Sequence, residues 1–346
     1  MTEEILRDPE RVQHYKNFFP TIAPVPEGIA RPFWSVMIPV YNRTTYLEET
    51  LRSVLIQDPG PESMQIEVID NSYNKIDVES FVSIIAGDRV SFYRQPKSLE
   101  VAGNWNTCIE RARGYWVHIL HDDDLVLPNF YQQFYNTLKR RSKVGAVICR
   151  HTSIDNFRNK EYLSSLERET PGFLDNWIER IATQQRIQCP AIVVRRAAYE
   201  TIGGFSPELT YSVDWEMWKR IAVHYPIWFI PEILAYYRVH QQSMTTKLLS
   251  TNTDFLDIHK SLELSKYYLP PQSAKALNAK AAEVYALWSM GQVQTMFAEG
   301  KIYPALARLV EALKFSPSQA VFKRTVSTLL RVLLRRPLMR RLDSSN

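Results

Sequence analysis

Between residues 33 and 120 the chain repeats one pattern: a short apolar run, then a stretch with apolar residues at helical spacing. WSVMIPVYN is followed by RTTYLEETLRSVLIQ, whose Tyr46, Leu47, Leu51, Val54 and Leu55 fall on one helical face. QIEVIDNS, a helix around 76–86, RVSFYRQ, a helix at 103–113 and YWVHIL then follow. Apolar runs without strict alternation belong to strands covered on both faces, and helices of about ten residues between them are the crossovers that parallel strands require. The pattern predicts an α/β domain with a mostly parallel, Rossmann-like sheet flanked by helices. Ligands of such sheets gather beyond the carboxyl ends of the strands. Tyr41–Asn42, Asp70–Ser72 and His121–Asp124 therefore form one candidate site.

The alternation continues less regularly to about 248, with VGAVICR, AIVVRR and PIWFIPE as strands and 127–142 and 212–224 as helices. Beyond 250 the chain reads as helix, and LNAKAAEVYALWSMGQVQTMFAEGK with YPALARLVEALKFSP is expected to form a packing hairpin that ends at Pro317. One such pair is not a repeat array. Upstream, residues 1–19 read as a polar helix, and Pro20, Pro24, Pro26 and Pro32 mark an extended lead-in. The expected organisation is thus 1–32 as N-terminal helix and lead-in, 33–248 as the α/β domain, and 249–346 as an all-helical C-terminal extension. A hydrophobic fraction of 45% supplies an ample core. Cys108, Cys149 and Cys189 are isolated, which argues against structural zinc or a disulfide framework and fits a reducing compartment. No run approaches the roughly 18–20 apolar residues of a membrane span, and Met1–Glu4 starts no secretory signal. The expectation is a cytoplasmic protein, soluble or peripheral on the inner face of the membrane.

The net charge of +5 is localised: residues 320–346 carry seven basic side chains against Asp343, leaving the remainder close to neutral. A nucleic-acid-binding surface would not confine its basicity to one tail. Within Val321–Leu334, Phe322, Val326, Leu329, Leu330 and Leu333 lie on one side and Arg324 and Arg331, with Arg335 just beyond, on another. A basic amphipathic helix of this kind either docks on an anionic membrane surface or packs on the protein with a solvated basic edge.

The strongest local signal is His121-Asp122-Asp123-Asp124, directly after the strand YWVHIL. Three adjacent carboxylates repel one another. Solvent at a loop relieves the repulsion, and so does a hard divalent ion such as Mg²⁺ or Mn²⁺, which prefers carboxylate oxygens.

From about 34 to 245 the chain resembles the inverting family 2 glycosyltransferases of the GT-A fold. The landmarks occur in order: SVMIPVYN with Arg43 following, EVIDNS, GNWNTCIERARGYWVHILHDDD, GGFSPELTYSVDWEMWKR, and the trailing YYRVHQQSMT. The resemblance implies a GT-A fold and transfer of a sugar, with inversion, from a nucleotide-diphosphate donor (a UDP-sugar) to a hydroxyl of a glycan or lipid-linked glycan acceptor. It also implies a Mn²⁺ or Mg²⁺ cofactor. By position it assigns Asp214 as general base, with Glu216 in reserve, and Asp123, Asp124 and His240 to the metal. Pro39, Tyr41, Asn42, Asp70, Asn106 and Asp122 are assigned to the nucleotide, with Asp70 reading the base. Arg113 is a further candidate phosphate contact. Two departures stand out: His121 occupies a position where relatives often carry Asp, and Asn71 stands where many have a second carboxylate. Asp214 also admits a plain reading as a helix N-cap, and Trp215 and Trp218 one as core residues. The competing function classes are a catalytically degenerate scaffold and a metal-dependent phosphohydrolase. Against the latter, the acidic triplet follows the fourth strand rather than the first.

Overall fold

The computed structural model describes residues 9–334, except 74, 75, 140 and 142. Arg335, Arg336, Arg340 and Arg341 of the basic tail lie outside the described residues. The strands in chain order are β1 (Trp34–Val40), β2 (Met64–Asp70), β3 (Ser91–Arg94), β4 (Trp116–Ile119), β5 (Leu125–Val126), β6 (Ala146–Ile154), β7 (Lys160–Leu163), β8 (Gly172–Phe173), β9 (Ile192–Arg195) and β10 (Ile227–Arg238). They form one sheet in the order β3-β2-β1-β4-β9-β6-β10-β5, with β7 beside β6 and β8 beside β10. The pairs β1–β2, β2–β3, β1–β4 and β6–β10 are parallel. β9 runs antiparallel to both its neighbours, β4 and β6.

Every residue of β1 and β2 is buried. Val36, Ile38 and Val40 of β1 join Val68 of β2 in a core that also holds Leu47, Leu51 and Val54 of the helix Leu47–Leu55. Met37 and Ile69 face the opposite core, with Ile109 of the helix Val101–Arg111 and Ile221 of the helix Val213–His224. The apolar runs are strands with helices on both sides, as their composition demanded. β1 is central, and its connections leave toward β2 on one side while β4 lies on the other, so the topology switches between β1 and β4. The β1–β4 register ends at Met37↔Ile119. Pro39, which has no N–H to offer, therefore sits where no β4 partner remains. The strand ends part there, at the switch point where sheets of this kind form their ligand crevice.

The lead-in packs into the body: Val12 and Tyr15 of the helix Pro9–Tyr15, with Phe19 and Ile22, are buried in the larger core. The same core takes Ile258, Leu262 and Tyr268 from the helix Thr253–Tyr268. The expected hairpin is present as Pro271–Ala298 and Ile302–Phe315, followed by Gln319–Leu333. Pro271–Ala298 contributes Ala274 and Ala281 to the large core and Ala286, Met290 and Val293 to a separate C-terminal core. Arg308 and Asp254 tie the two regions through a fully buried ion pair with N–O distances of 2.8 and 3.2 Å. No described helix is long and apolar enough to cross a membrane.

Candidate active site

The crevice is walled by the loops that follow β1, β2 and β4. After β1, Asn42 adopts a left-handed backbone (φ 57°), a conformation Asn tolerates better than most residues. Its N–H donates to Ser72 Oγ (2.7 Å), and its Oδ1 accepts the Tyr73 N–H (3.0 Å). These bonds bind the first loop to the second, and the exposed rings of Tyr41 and Tyr73 meet edge to face at 5.8 Å. At the end of β2, Asp70 is fully buried. Its Oδ1 accepts the Ser72 N–H and its Oδ2 accepts Arg94 Nε, both at 2.9 Å.

The acidic loop follows β4, and all three carboxylates are buried rather than solvated. Arg43 forks onto Asp122, with Nε to Oδ2 at 3.1 Å and Nη2 to Oδ1 at 2.8 Å, and its Nη2 also donates to Asp123 Oδ2. His240 Nε2 lies 3.0 Å from that same oxygen of Asp123 and 3.1 Å from Arg43 Nη1. Asp124 Oδ1 accepts the Arg238 backbone N–H (2.9 Å), while Arg238 Nε donates to the Asp123 carbonyl at 2.9 Å. Charge follows geometry. Burial pushes the Asp122 carboxyl up to about 6, with the Asp123 charge adding to the rise and Arg43 opposing it. Burial acts the same way on Asp123, but the hydrogen bond with His240 and the Arg43 charge hold it below the usual carboxylate range. Asp124 is driven well up by burial and by Asp123.

Among the described residues, two buried atoms beside this loop have no hydrogen-bond partner, Asp124 Oδ2, which lies 3.7 Å from His121 Nδ1, and His121 Nε2. His121 is held against the Trp105 ring at 4.7 Å, and burial lowers its imidazole to about 4, so it is a neutral donor of a nitrogen lone pair. His121, Asp123 and Asp124 each bring a ligand atom within 4.8 Å of the others. Carboxylate oxygens, an imidazole and orphaned buried acceptors suit a divalent ion such as Mn²⁺ or Mg²⁺. His240 adjoins this set through Asp123.

Asp214 lies in the first turn of the helix Val213–His224. The alternative reading of Asp214 as the N-cap does not hold: the helix begins at Val213, Ser212 is the cap residue, and Asp214 is already inside. The turn leading into the helix is fixed from elsewhere, by Asp257 of the C-terminal helix Thr253–Tyr268. Its Oδ1 accepts the Ser212 N–H (2.8 Å) and its Oδ2 the Thr210 N–H (2.6 Å). Asp214 Oδ2 accepts Gln185 Nε2 at 2.8 Å, and Oδ1 accepts the Trp215 N–H at 2.7 Å. Burial raises its carboxyl to about 7, and the negative charge of Asp257 contributes. The buried Cys189 thiol and the half-buried Tyr237 phenol each feel Asp214, Asp124 and Asp123 together, so the base candidate and the acidic loop share one region.

Several expectations do not survive as ligand contacts. Asn106 spends its amide on Phe205, donating from Nδ2 to the carbonyl (2.9 Å) and accepting the N–H on Oδ1 (2.7 Å). It clamps the Gly203-Gly204 turn instead of facing the nucleotide. A Cβ on Gly204 would come 2.4 Å from Asn106 Oδ1. Arg113 precedes β4, at the amino end of the sheet and away from the crevice. Glu216 is locked to Arg220 in a fully buried ion pair, and Trp215 and Trp218 are core residues. Sequence reasoning noted Arg43 only as following SVMIPVYN and Arg238 only within YYRVHQQSMT, gave neither its grip on the acidic loop, and missed Asp257.

Residues 35–203 match the model described as Glycosyl transferase family 2. An uncharacterized protein of Mycobacterium tuberculosis is 27% identical over 274 residues, 73% of this chain and 81% of that one. An uncharacterized glycosyltransferase of Rickettsia typhi is 25% identical over 222 residues, 63% and 68% respectively. Among solved structures, Staphylococcus aureus TarS 1–349 in complex with UDP-GlcNAc superposes with a TM-score of 0.63 at 13% identity, covering 86% of this chain and 90% of that one. At that identity the likeness is one of fold, and the shared fold is GT-A.

Proposed function

We propose, from the match of residues 35–203 to the family 2 glycosyltransferases, that the chain moves a sugar, with inversion, from a nucleotide-diphosphate donor to a hydroxyl of a glycan or lipid-linked glycan. The observation that carries this reading is the pairing, in one region, of a cation-suited acidic loop with Asp214, a carboxyl whose burial tunes it to about 7. On this reading residues 33–248 carry the chemistry, and 249–346 form the helical extension. The family match disfavours the phosphohydrolase, and two intact carboxylate sites disfavour the scaffold.

The donor's diphosphate would lie at the mouth between β1 and β4, with the nucleoside beside the exposed Tyr41 and Tyr73 rings, and Asp70 would act from beneath by holding Ser72 and Arg94. TarS was crystallised with UDP-GlcNAc, which favours a uridine donor. Asp123, Asp124 and His121 would hold a divalent ion, with His240 supporting Asp123. When bound, that ion supplies charge neutralisation for the departing diphosphate without a proton. Asp214 takes the proton from the acceptor hydroxyl. The acceptor oxygen then bonds to the anomeric carbon from the face opposite the leaving group, and the bond from that carbon to the phosphate oxygen breaks. A carboxylate with an elevated proton affinity is the better base for a weakly acidic alcohol. Gln185 orients Asp214, and Asp257 fixes the turn from which its helix starts.

The same reading extends to an anionic membrane surface. On Gln319–Leu333, Phe322, Val326, Leu330 and Leu333 are exposed, while Val321, Thr325 and Thr328 face the hairpin. An apolar row exposed among the described residues, beside Lys323 and Arg331, has the chemistry of a helix lying in a lipid interface. Thermal-shift titration with UDP- and GDP-sugars in Mn²⁺, followed by transfer assays, tests the whole proposal. Stabilisation by a nucleotide sugar with donor hydrolysis is expected. Indifference to every nucleotide would overturn it.

A further inference from the structure

We propose that Arg43 is a resident counter-ion of the acidic loop, which yields Asp123 to the divalent ion and transfers its charge to the donor's diphosphate. The inference rests on the donor reading above. The guanidinium meets the cation-suited set at Asp123 while it grips Asp122 with both arms and touches His240. Its side chain is one-fifth exposed, so it enters the cluster from the open, crevice side. The backbone that carries it is fixed, since Asn42 is tied to Ser72 and Tyr73. Only the side chain is free to move.

A doubly charged ion arriving at Asp123 meets a full positive charge already bonded to that carboxylate. Two cations on adjacent oxygens repel strongly in a buried setting. They are compatible when an anion stands between them, and a diphosphate is such an anion. Arg is suited to the exchange, because its fork fits phosphate as well as carboxylate. Arg43 thus makes metal and donor binding interdependent: it weakens the metal alone and strengthens the metal with nucleotide. By reciprocity, the metal must then strengthen nucleotide binding by the same factor.

The test uses the full chain and two probes, Mn²⁺ alone and uridine diphosphate. Free Mn²⁺ is followed by its paramagnetic resonance signal and nucleotide binding by calorimetry. Arg43→Gln removes the competing charge. It should bind Mn²⁺ alone about 5-fold or more tightly than wild type, and bind uridine diphosphate in saturating Mn²⁺ about 10-fold more weakly. Arg43→Lys keeps the charge but not the fork, so it should retain weak binding of Mn²⁺ alone while losing part of the nucleotide affinity. The Lys variant, with the metal–nucleotide coupling in wild type, decides the matter if the Gln variant folds poorly. Unchanged or weaker Mn²⁺ binding by Arg43→Gln, or wild-type sites that do not couple, would overturn the exchange. Failure of wild type to bind any nucleotide would instead refute the donor reading, while the comparison with Mn²⁺ alone still judges Arg43.

Discussion

Replacing Asp214 by Asn separates chemistry from structure at a single atom pair. Oδ1 would still accept the Trp215 N–H, and only Oδ2 becomes an amide nitrogen. That nitrogen would face Gln185 Nε2, a donor against a donor. Relief is local, because Gln185 Oε1 is buried without a partner, and a flip of its amide presents that oxygen. The exchange therefore costs little in hydrogen bonding. It should stabilise the protein at high pH. A carboxyl raised from 3.8 to about 7 favours the folded state while protonated, and the penalty accumulates as pH rises from about 4 through 7. Three pH units correspond to at most about 4 kcal/mol. Asp214→Asn should thus melt at the same temperature as wild type near pH 4 and several degrees higher at pH 8. Sugar transfer should fall by about 10²-fold or more, and the wild-type rise in rate through pH 7 should vanish. Nucleotide affinity should stay within a few-fold, since the acidic loop is untouched. Rates from purified protein with the identified donor, and melting curves at the two pH values, test both halves. A variant that transfers at near wild-type rate would refute Asp214 as the base.

Asp123→Ala should abolish Mn²⁺-dependent stabilisation by nucleotide, and EDTA should stop transfer until Mn²⁺ or Mg²⁺ is restored; full activity in chelator would refute the metal assignment. Asp257→Ala leaves the Thr210 and Ser212 N–H groups without their acceptor and should cost about 2 kcal/mol or more in denaturant unfolding. Because the Asp257 charge raises Asp214, its loss should also move the rising limb of the rate profile to lower pH. Phe322→Glu with Leu330→Glu changes exposed positions only, so it should release the protein from anionic liposomes without altering its melting temperature or donor hydrolysis. Retained liposome binding would favour the packed-helix reading.

The parallel half of the sheet was legible because strands covered on both faces announce themselves as unbroken apolar runs, as WSVMIPV does. β9 was visible as AIVVRR, but its antiparallel place between β4 and β6 was not, since periodicity carries no direction. β8, with two residues, leaves no pattern at all. Residue type also underdetermines the target of a side chain. Asn106 reads the same whether its amide faces a nucleotide or clamps Phe205, and Asp257 looks like any charge on a helix until the fold brings it to Ser212. The acidic triplet was plain, whereas its burial under Arg43 and Arg238 depends on contacts nearly 80 and more than 110 residues away.

The helix Pro271–Ala298 has one end in the large core and the other in the C-terminal core. Its 28 residues make a rod of about 42 Å at 1.5 Å per residue. If Gln319–Leu333 rests on a bilayer, that rod acts as a spacer, holding the crevice at a set height above the lipid. Reach would then select among acceptors. A hydroxyl carried on a short headgroup would stay below the mouth, and one displayed on a longer glycan would arrive level with Asp214. Lengthening or shortening the helix by whole turns would retune that choice without touching a residue in the crevice.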